Sequence, residues 1–263
     1  MIRLIGIDVD GTLLGSSGVV HPAVWAAAEK ARRDGIHLAL CSGRPAFGVA
    51  REYAQRLEAA GWHVFQNGAS IIDLHSGKSS SVAIAPEFIA KLIHRARDTR
   101  DVLELYSDSS YVTESETEWA RIHAEMLGVP FKPASYESLD APVVRAQWLF
   151  TEHDAAVFMK SAPTEVEVAV STSPLLPEAN FVGLTHKGVS KGSALRTIAA
   201  NYGIDLRDVM YVGDADNDLS ALRVAGHPVA MGNGSPAVRA IAKHTVGHVD
   251  EGGLAQAFAL ASS

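Results

Sequence analysis

Residues 4–12, LIGIDVDGT, carry an apolar strand directly into two carboxylates and a glycine. The strand is predicted to run from Ile2 to Ile7. Side chains alternate between the two faces of a strand, so Asp8 and Asp10 begin on the same side. Gly11 allows a sharp turn that presents amide groups to an anion. Such a loop can hold a divalent cation together with a phosphate, although an ordinary Asp-Gly turn has the same composition.

Outward from this stretch, apolar strand patterns alternate with helical ones. Strands are predicted at 36–41 and 63–66, with helices at 23–33 and 46–59, and the same rhythm returns after residue 190. This order predicts an α/β fold with a doubly wound, Rossmann-like parallel sheet. The intervening pattern alternates with period two, which predicts an inserted α+β domain. We therefore expect a core of residues 1–83 plus 185–263 and an insertion of residues 84–184.

The composition narrows the function classes. The chain has 263 residues, 47% hydrophobic and 20% charged, which is typical of a globular protein. A net charge of −7 without a basic cluster predicts no nucleic-acid partner. No apolar run approaches the roughly 18 residues of a membrane span, and the N-terminal stretch is too short for a signal peptide, so a cytoplasmic protein is expected. Cys41 is expected to be a buried, inert thiol.

Ligands of open parallel sheets bind beyond the carboxyl ends of the strands. Besides the first stretch, three further segments place polar groups at the boundaries of predicted strands or helices. Ser42, Gly43 and Arg44 follow the second strand, at a helix expected to start near Pro45, and could bind an anion. Lys191 begins a predicted helix, where a cation is electrostatically unfavourable unless an anion is nearby. The acidic turn GDADND, residues 213–218, supplies hard oxygen ligands of the kind that Mg²⁺ prefers.

These four segments, in this order, resemble the motifs of the haloacid dehalogenase superfamily. The motifs are DVDGT, the SGR after the second strand, GVSKG at 188–192 and the GDxxND turn. The large insertion between the second and third motifs, the NGA at 67–69 and the tail PVAMGNG at 228–234 are similar to the Cof-type, subfamily IIB branch of sugar phosphatases. The resemblance implies a haloacid dehalogenase-like core with an α/β type-2 cap that determines substrate specificity.

The resemblance also implies a role for each matching position. Asp8 would be the nucleophile that forms an aspartyl-phosphate, and Asp10 the general acid and base. Mg²⁺ would be bound by Asp8, the Asp10 carbonyl and Asp214, with support from Asp218. The phosphate would be bound by Ser42, Gly43, Lys191 and Asn217, and Thr12 would order the loop. The expected activity is Mg²⁺-dependent hydrolysis of a small phosphorylated metabolite, a sugar phosphate above all, by a monomer or homodimer. Cap hinges are expected near 82–86 and 183–188.

Two positions depart from the branch's pattern and leave the substrate open. Gly183 stands where relatives often carry Glu, and His186 where Pro is common. A phosphosugar mutase would share the aspartyl-phosphate step and a similar cap, so it remains an alternative reading.

The third motif also satisfies the nucleophile-elbow pattern of α/β-hydrolases, with Ser190 at its centre. The triad partners would be Asp214 and one of His227, His244 or His248. This second alternative leaves Asp8 and Asp10 unexplained, and Ser190 is more simply the N-cap of the next helix.

Overall fold

The computed structural model describes residues 1–173 and 175–261. The strands are β1 (Leu4–Ile7), β2 (His37–Leu40), β3 (Trp62–Phe65), β4 (Ser70–Asp73), β5 (Val102–Tyr106), β6 (Tyr111–Val112), β7 (Arg145–Phe150), β8 (Val166–Ser173), β9 (Leu176–His186), β10 (Val209–Gly213), β11 (His227–Ala230) and β12 (His244–Thr245). The helices are α1 (Pro22–Arg33), α2 (Val49–Glu58), α3 (Pro86–Thr99), α4 (Glu118–Leu127), α5 (Glu152–Lys160), α6 (Lys191–Tyr202), α7 (Leu219–Val224), α8 (Pro236–Ile241) and α9 (Gly253–Ala261).

The chain divides into two compact units. The first comprises residues 1–44, 50–80 and those from 190 onward, and the second comprises residues 45–49 and 81–189. The first unit is therefore built from both ends of the chain. Every helix within the described ranges falls short of the length or apolarity that a bilayer crossing requires.

A five-stranded parallel sheet forms the centre of the first unit, in the order β12-β11-β10-β1-β2. The strands β1 and β10 are buried at every residue, so they read as continuous apolar runs, as expected of a parallel sheet covered on both faces. Helices α6 and α7 contribute Leu195 and Leu222 to the apolar core that also contains Leu4 and Val209. The predicted α/β class with a doubly wound parallel sheet is confirmed.

The strand predicted at 63–66 is β3. Its Val64 forms a parallel bridge with Cys41 at the end of β2, and β3 also pairs antiparallel with β4. One local expectation is wrong. The helix expected near Pro45 begins at Val49 instead. Gly48 has a φ of +62°, a left-handed conformation that interrupts a helix and that glycine adopts readily.

The second unit contains an antiparallel sheet in the order β6-β5-β7-β9-β8. Alternating side chains give it two covered faces. One face packs Leu103, Trp148 and Leu184 with residues of α3 and α5, and the other packs Leu149 and Phe181 with α4. Gly183 lies within β9, opposite Gln147 of β7, and His186 is the last residue of β9 and exposed.

Candidate active site

Polar residues follow three adjacent strands of the first unit, at the same edge of the sheet. Ile7 of β1 lies in register with Leu40 of β2 on one side and Val212 of β10 on the other. Asp8 follows β1 directly, Ser42 lies two residues beyond β2, and Asp214 follows β10. Because parallel strands end at one edge, residues distant in sequence become neighbours there.

Lys191 is the centre of the charge arrangement at this edge. Its Nζ donates to Asp8 Oδ1 at 2.5 Å and to Asp218 Oδ1 at 2.7 Å, and its side chain is fully buried. Burial alone would lower the pKa of Lys191, but Asp8 and Asp218 raise it above its usual value, so the ammonium stays charged. The helix N-terminus thus carries a cation together with the anions that compensate it.

Asp218 is held by four hydrogen bonds. Its Oδ1 accepts from Lys191 and from the Tyr211 hydroxyl at 2.7 Å, and its Oδ2 accepts from the backbone amides of Asp214 and Ala215 at 3.0 Å. These bonds occupy the acceptor sites of the carboxylate. Asp218 therefore holds Lys191 and the acidic turn in place.

Asp214 and the first loop are fitted closely together. The Thr12 hydroxyl donates to Asp214 Oδ1 at 2.9 Å, which ties the loop to the acidic turn. Gly11 has a φ of +89°, and a Cβ there would lie 2.1 Å from Asp214 Oδ2. Only glycine can occupy this position, because it adopts the left-handed conformation and leaves room for the carboxylate. The Asn233 amide fixes the Gly11 carbonyl at 2.7 Å.

Asp8 and Asp214 bring two carboxylates together where a divalent cation would fit, and Asp218 lies beside them. Each offers an oxygen within 4.8 Å of the others. Burial and the Asp218 charge raise the pKa of Asp8 well above its usual range, while Lys191 opposes this. Burial raises the pKa of Asp214 to about 6, although the Thr12 hydrogen bond opposes it. Asp8 and Asp214, with their raised pKa values, are oxygen donors that a hard cation would stabilise in their charged form.

Asp10 lies apart from that group and is paired with Arg44. Arg44 Nε donates to Asp10 Oδ2 at 3.0 Å, and a terminal guanidinium nitrogen donates to Oδ1 at 2.6 Å. This two-bond geometry fixes the plane of the carboxylate. More than half of the Asp10 side chain is exposed, unlike that of Asp8. The two aspartates of the first motif therefore lie in different environments.

The predicted phosphate-binding residues Ser42, Gly43 and Asn217 lie in loops of the same unit. Ser42 is fully buried, and its hydroxyl accepts from the Arg44 amide at 3.0 Å. Since α2 begins at Val49, Ser42 and Gly43 do not cap a helix, and any anion there would meet loop amides. Asn217 is exposed in the acidic turn and donates from Nδ2 to Asn67 Oδ1 at 3.1 Å.

The alternative reading of Ser190 as a nucleophile has no supporting geometry. The Ser190 hydroxyl accepts from the Ser193 amide at 3.1 Å and, with Ser193, caps α6. No hydrogen bond within residues 1–173 and 175–261 joins Ser190 to a histidine. Cys41 is fully buried, and burial raises the pKa of its thiol to about 12, as expected for an inert thiol.

Three residues at this edge have partners that the sequence did not indicate: Arg44, Asn67 and Tyr211. Arg44 and Asn67 belong to segments already noted, SGR and NGA, but nothing in either pattern indicates their partners. Tyr211 lies inside an apolar strand, where an aromatic ring is normally core. Its hydroxyl nevertheless donates to Asp218, and Gly6 on the neighbouring strand leaves room for its ring, since a Cβ at Gly6 would lie 2.7 Å from that ring.

Comparisons with known proteins agree with this geometry. The sequence model of the haloacid dehalogenase-like hydrolase family matches residues 5–258 of this chain. Phosphatase YwpJ from Bacillus subtilis is 28% identical, with 97% of this chain and 98% of the relative covered. HMP-PP phosphatase from Cronobacter sakazakii is 25% identical, with 94% of this chain and 91% of the relative covered.

A solved structure shares the fold over nearly the whole chain. It is the subclass IIB sugar phosphatase BT4131, which superposes with a TM-score of 0.79 at 23% identity and covers 98% of both chains. The predicted membership of the haloacid dehalogenase superfamily is confirmed, and so is the predicted enzyme class, a phosphatase. The chain belongs to the haloacid dehalogenase-like hydrolase family.

Proposed function

We propose that this protein is a Mg²⁺-dependent phosphatase that hydrolyses small phosphorylated metabolites through an aspartyl-phosphate at Asp8. The observation that carries the proposal is the buried ion pair of Asp8 and Lys191, with Asp214 close enough to share a cation. A carboxylate attacks a phosphate dianion only where positive charge offsets their repulsion. Lys191 provides one such charge from the protein itself.

Two residues of this chain, Asp8 and Asp10, are assigned to the steps of the reaction. Asp8 Oδ attacks phosphorus, the bond from phosphorus to the leaving oxygen breaks, and Asp10 donates its proton to that oxygen. Water then attacks phosphorus of the aspartyl-phosphate, Asp10 takes the water's proton, and inorganic phosphate leaves Asp8 free. Mg²⁺ would be held by Asp8, Asp214 and the Asp10 carbonyl, and when bound it would supply Lewis-acid stabilisation of the phosphoryl charge.

Arg44 orients Asp10 for these transfers. Each Asp10 oxygen accepts one hydrogen bond from the guanidinium, so a second lone pair on each oxygen is left for a proton. The ion pair thus holds the plane of the carboxylate in a defined orientation. Ser42, the Gly43 amide and Asn217 would donate to the phosphoryl oxygens.

The substrate class is inferred from the relatives. HMP-PP phosphatase is named for a small phosphorylated compound, and BT4131 is described as a sugar phosphatase. We propose a sugar phosphate or another small phosphorylated metabolite, selected by the inserted residues 84–184 acting as a cap. Hydrolysis is preferred over mutase activity because water requires no second sugar-binding site.

The proposal is tested by phosphate release from a panel of sugar phosphates, nucleotides and other phosphorylated metabolites, with Mg²⁺ or with chelator. We expect release that chelator abolishes and that Asp8→Asn reduces at least about a thousandfold, since no nucleophile remains. Asp34→Asn is the matched control, because Asp34 lies at the exposed end of α1, paired with Lys30. Chelator-insensitive release, or an Asp8→Asn enzyme with more than a few per cent of the wild-type rate, would refute the proposal. Conversion of one sugar phosphate to its isomer without free phosphate would indicate a mutase.

A further inference from the structure

A turn with an unusual backbone lies against the proposed phosphate site. Gln66, Asn67 and Gly68, between β3 and β4, have φ values of +52°, +55° and +109°. We call these three residues the Gln66–Gly68 turn. Left-handed conformations are uncommon outside glycine, and two in succession at non-glycine residues persist only where surrounding contacts enforce them. Residues held in this way are frequent at functional sites.

The backbone of the Gln66–Gly68 turn is bonded to the second motif. The Asn67 amide donates to the Ser42 carbonyl at 2.9 Å, and the Gln66 amide donates to the Arg44 carbonyl at 2.9 Å. Gln66 itself is fully buried. The turn therefore sets the position of the Ser42–Arg44 loop through two main-chain hydrogen bonds.

The same turn is packed against the start of α6. A Cβ on Gly68 would lie 2.3 Å from the Ser190 carbonyl oxygen. Gly68 thus lets the turn approach the backbone immediately before Lys191, a distance that no other residue type permits. The turn therefore contacts two of the motifs, the SGR loop at 42–44 and the GVSKG segment at 188–192.

The Asn67 side chain contacts two of the proposed phosphate-binding residues, Asn217 and Gly43. Its Oδ1 accepts from Asn217 Nδ2 at 3.1 Å, and a Cβ built on Gly43 would lie 3.2 Å from Asn67 Oδ1 and 3.3 Å from Nδ2. Asn217 is exposed, and an exposed side chain keeps a single orientation only when a hydrogen bond holds it. One amide group therefore fixes Asn217 and closes the space over Gly43.

We propose that Asn67 is a positioning residue for phosphoryl transfer: held by the left-handed Gln66–Gly68 turn, it orients Asn217 and the Gly43 loop toward the phosphate. The inference rests on the proposed function, because it assigns Asn67 to the phosphate-binding groups of that reaction. It adds a residue that none of the four motifs contains. Asparagine suits the position because it tolerates the left-handed conformation and carries both a donor and an acceptor.

The test uses Asn67→Gly, which removes the amide group while glycine keeps the left-handed backbone without strain. We expect kcat/KM to fall about 10- to 100-fold, the loss typical of a misplaced binding group. The fall should be equal for substrates with different leaving groups, because the phosphate is common to all of them. Inhibition by inorganic phosphate should weaken in parallel, and the thermal midpoint should stay at the wild-type value.

Two further variants separate positioning from a structural role. Asn217→Ala should lose a similar factor, and the Asn67→Gly/Asn217→Ala double variant should lose no more than about threefold beyond the worse single one, because Asn67 acts through Asn217. Arg100→Gly is the matched control. Arg100 also has a left-handed backbone, with a φ of +62°, but it ends α3 in the second unit. It should keep wild-type kinetics.

The possible results have distinct meanings. Wild-type kinetics for Asn67→Gly, effects that multiply in the double variant, or a loss that accompanies a lowered thermal midpoint would each overturn the assignment of Asn67. If neither the wild type nor Arg100→Gly released phosphate from any substrate, the proposed function would fail instead.

Discussion

Replacing Lys191 by methionine should destabilise the protein strongly when no metal is present. Lys191 is fully buried and donates to two carboxylates at 2.5 and 2.7 Å, and both carboxylates are themselves buried. Methionine fills a similar volume but leaves Asp8 and Asp218 without the charge that compensates them. The expected change therefore comes from electrostatics and not from packing.

The magnitude follows from these contacts. With an effective dielectric constant of about 20, each contact contributes about 6 kcal/mol of attraction, which the desolvation of three charged groups largely offsets. Removing one partner of a buried ion pair costs about 3–5 kcal/mol, because the other charge stays buried and uncompensated. We expect the free energy of unfolding of Lys191→Met to fall by about that amount at pH 7.5 in chelator.

The assay is urea unfolding followed by circular dichroism, in chelator and then with Mg²⁺. Lys30→Met is the matched control, because Lys30 forms an exposed ion pair with Asp34 and should change the free energy by less than about 0.5 kcal/mol. The Lys191→Met/Asp8→Asn double variant should be more stable than Lys191→Met, since one of the uncompensated charges is gone. A Lys191→Met protein within about 1 kcal/mol of the wild type, or a double variant no more stable than Lys191→Met, would refute this electrostatic reasoning.

Three further predictions concern neighbouring groups. Arg44→Leu should lower kcat/KM by about 10- to 100-fold, measured by phosphate release, because the carboxylate of Asp10 loses its fixed orientation; its thermal midpoint should hardly move, since the pair is partly exposed. In chelator, the raised pKa of Asp214, about 6, means that the folded state binds a proton more tightly than the unfolded state, so stability from this group is complete below about pH 4 and is lost as the pH rises through 6. The rise in thermal midpoint on adding Mg²⁺ should therefore be larger at pH 8 than at pH 5, and an equal rise at both would contradict this. Gly6→Ala should destabilise the protein by about 1–3 kcal/mol in urea unfolding and reduce turnover, because its Cβ would lie 2.7 Å from the Tyr211 ring; a fully active, stable variant would show that the ring is free to move.

Part of the site could be predicted from short-range pattern alone. Asp8 and Asp214 come directly after apolar strands, and parallel strands end at one edge, so their meeting follows from the alternation of strands and helices. Ser190 as the cap of α6 is equally local, since a hydroxyl three residues before a backbone amide satisfies it directly. The resemblance to known motifs then assigned the chemistry.

Other features could not be predicted from these patterns. The start of α2 depends on the left-handed conformation of Gly48, which the helical pattern at 46–59 does not indicate, and the same is true of the antiparallel pairing of β3 with β4. The environment of Asp10 is decided by Arg44, 34 residues onward, whose long side chain can point in many directions.

Periodicity and turn chemistry act over a few residues, so the local pattern is enough to place polar residue types at the strand ends. Which of these side chains touch depends on the folded chain. It placed the Lys191 ammonium between Asp8 and Asp218, paired Arg44 with Asp10, and set Asn67 against Asn217. The physical reason is that hydrogen bonds and ion pairs require atoms within about 3 Å of one another, and only the packed chain sets distances that short between remote residues.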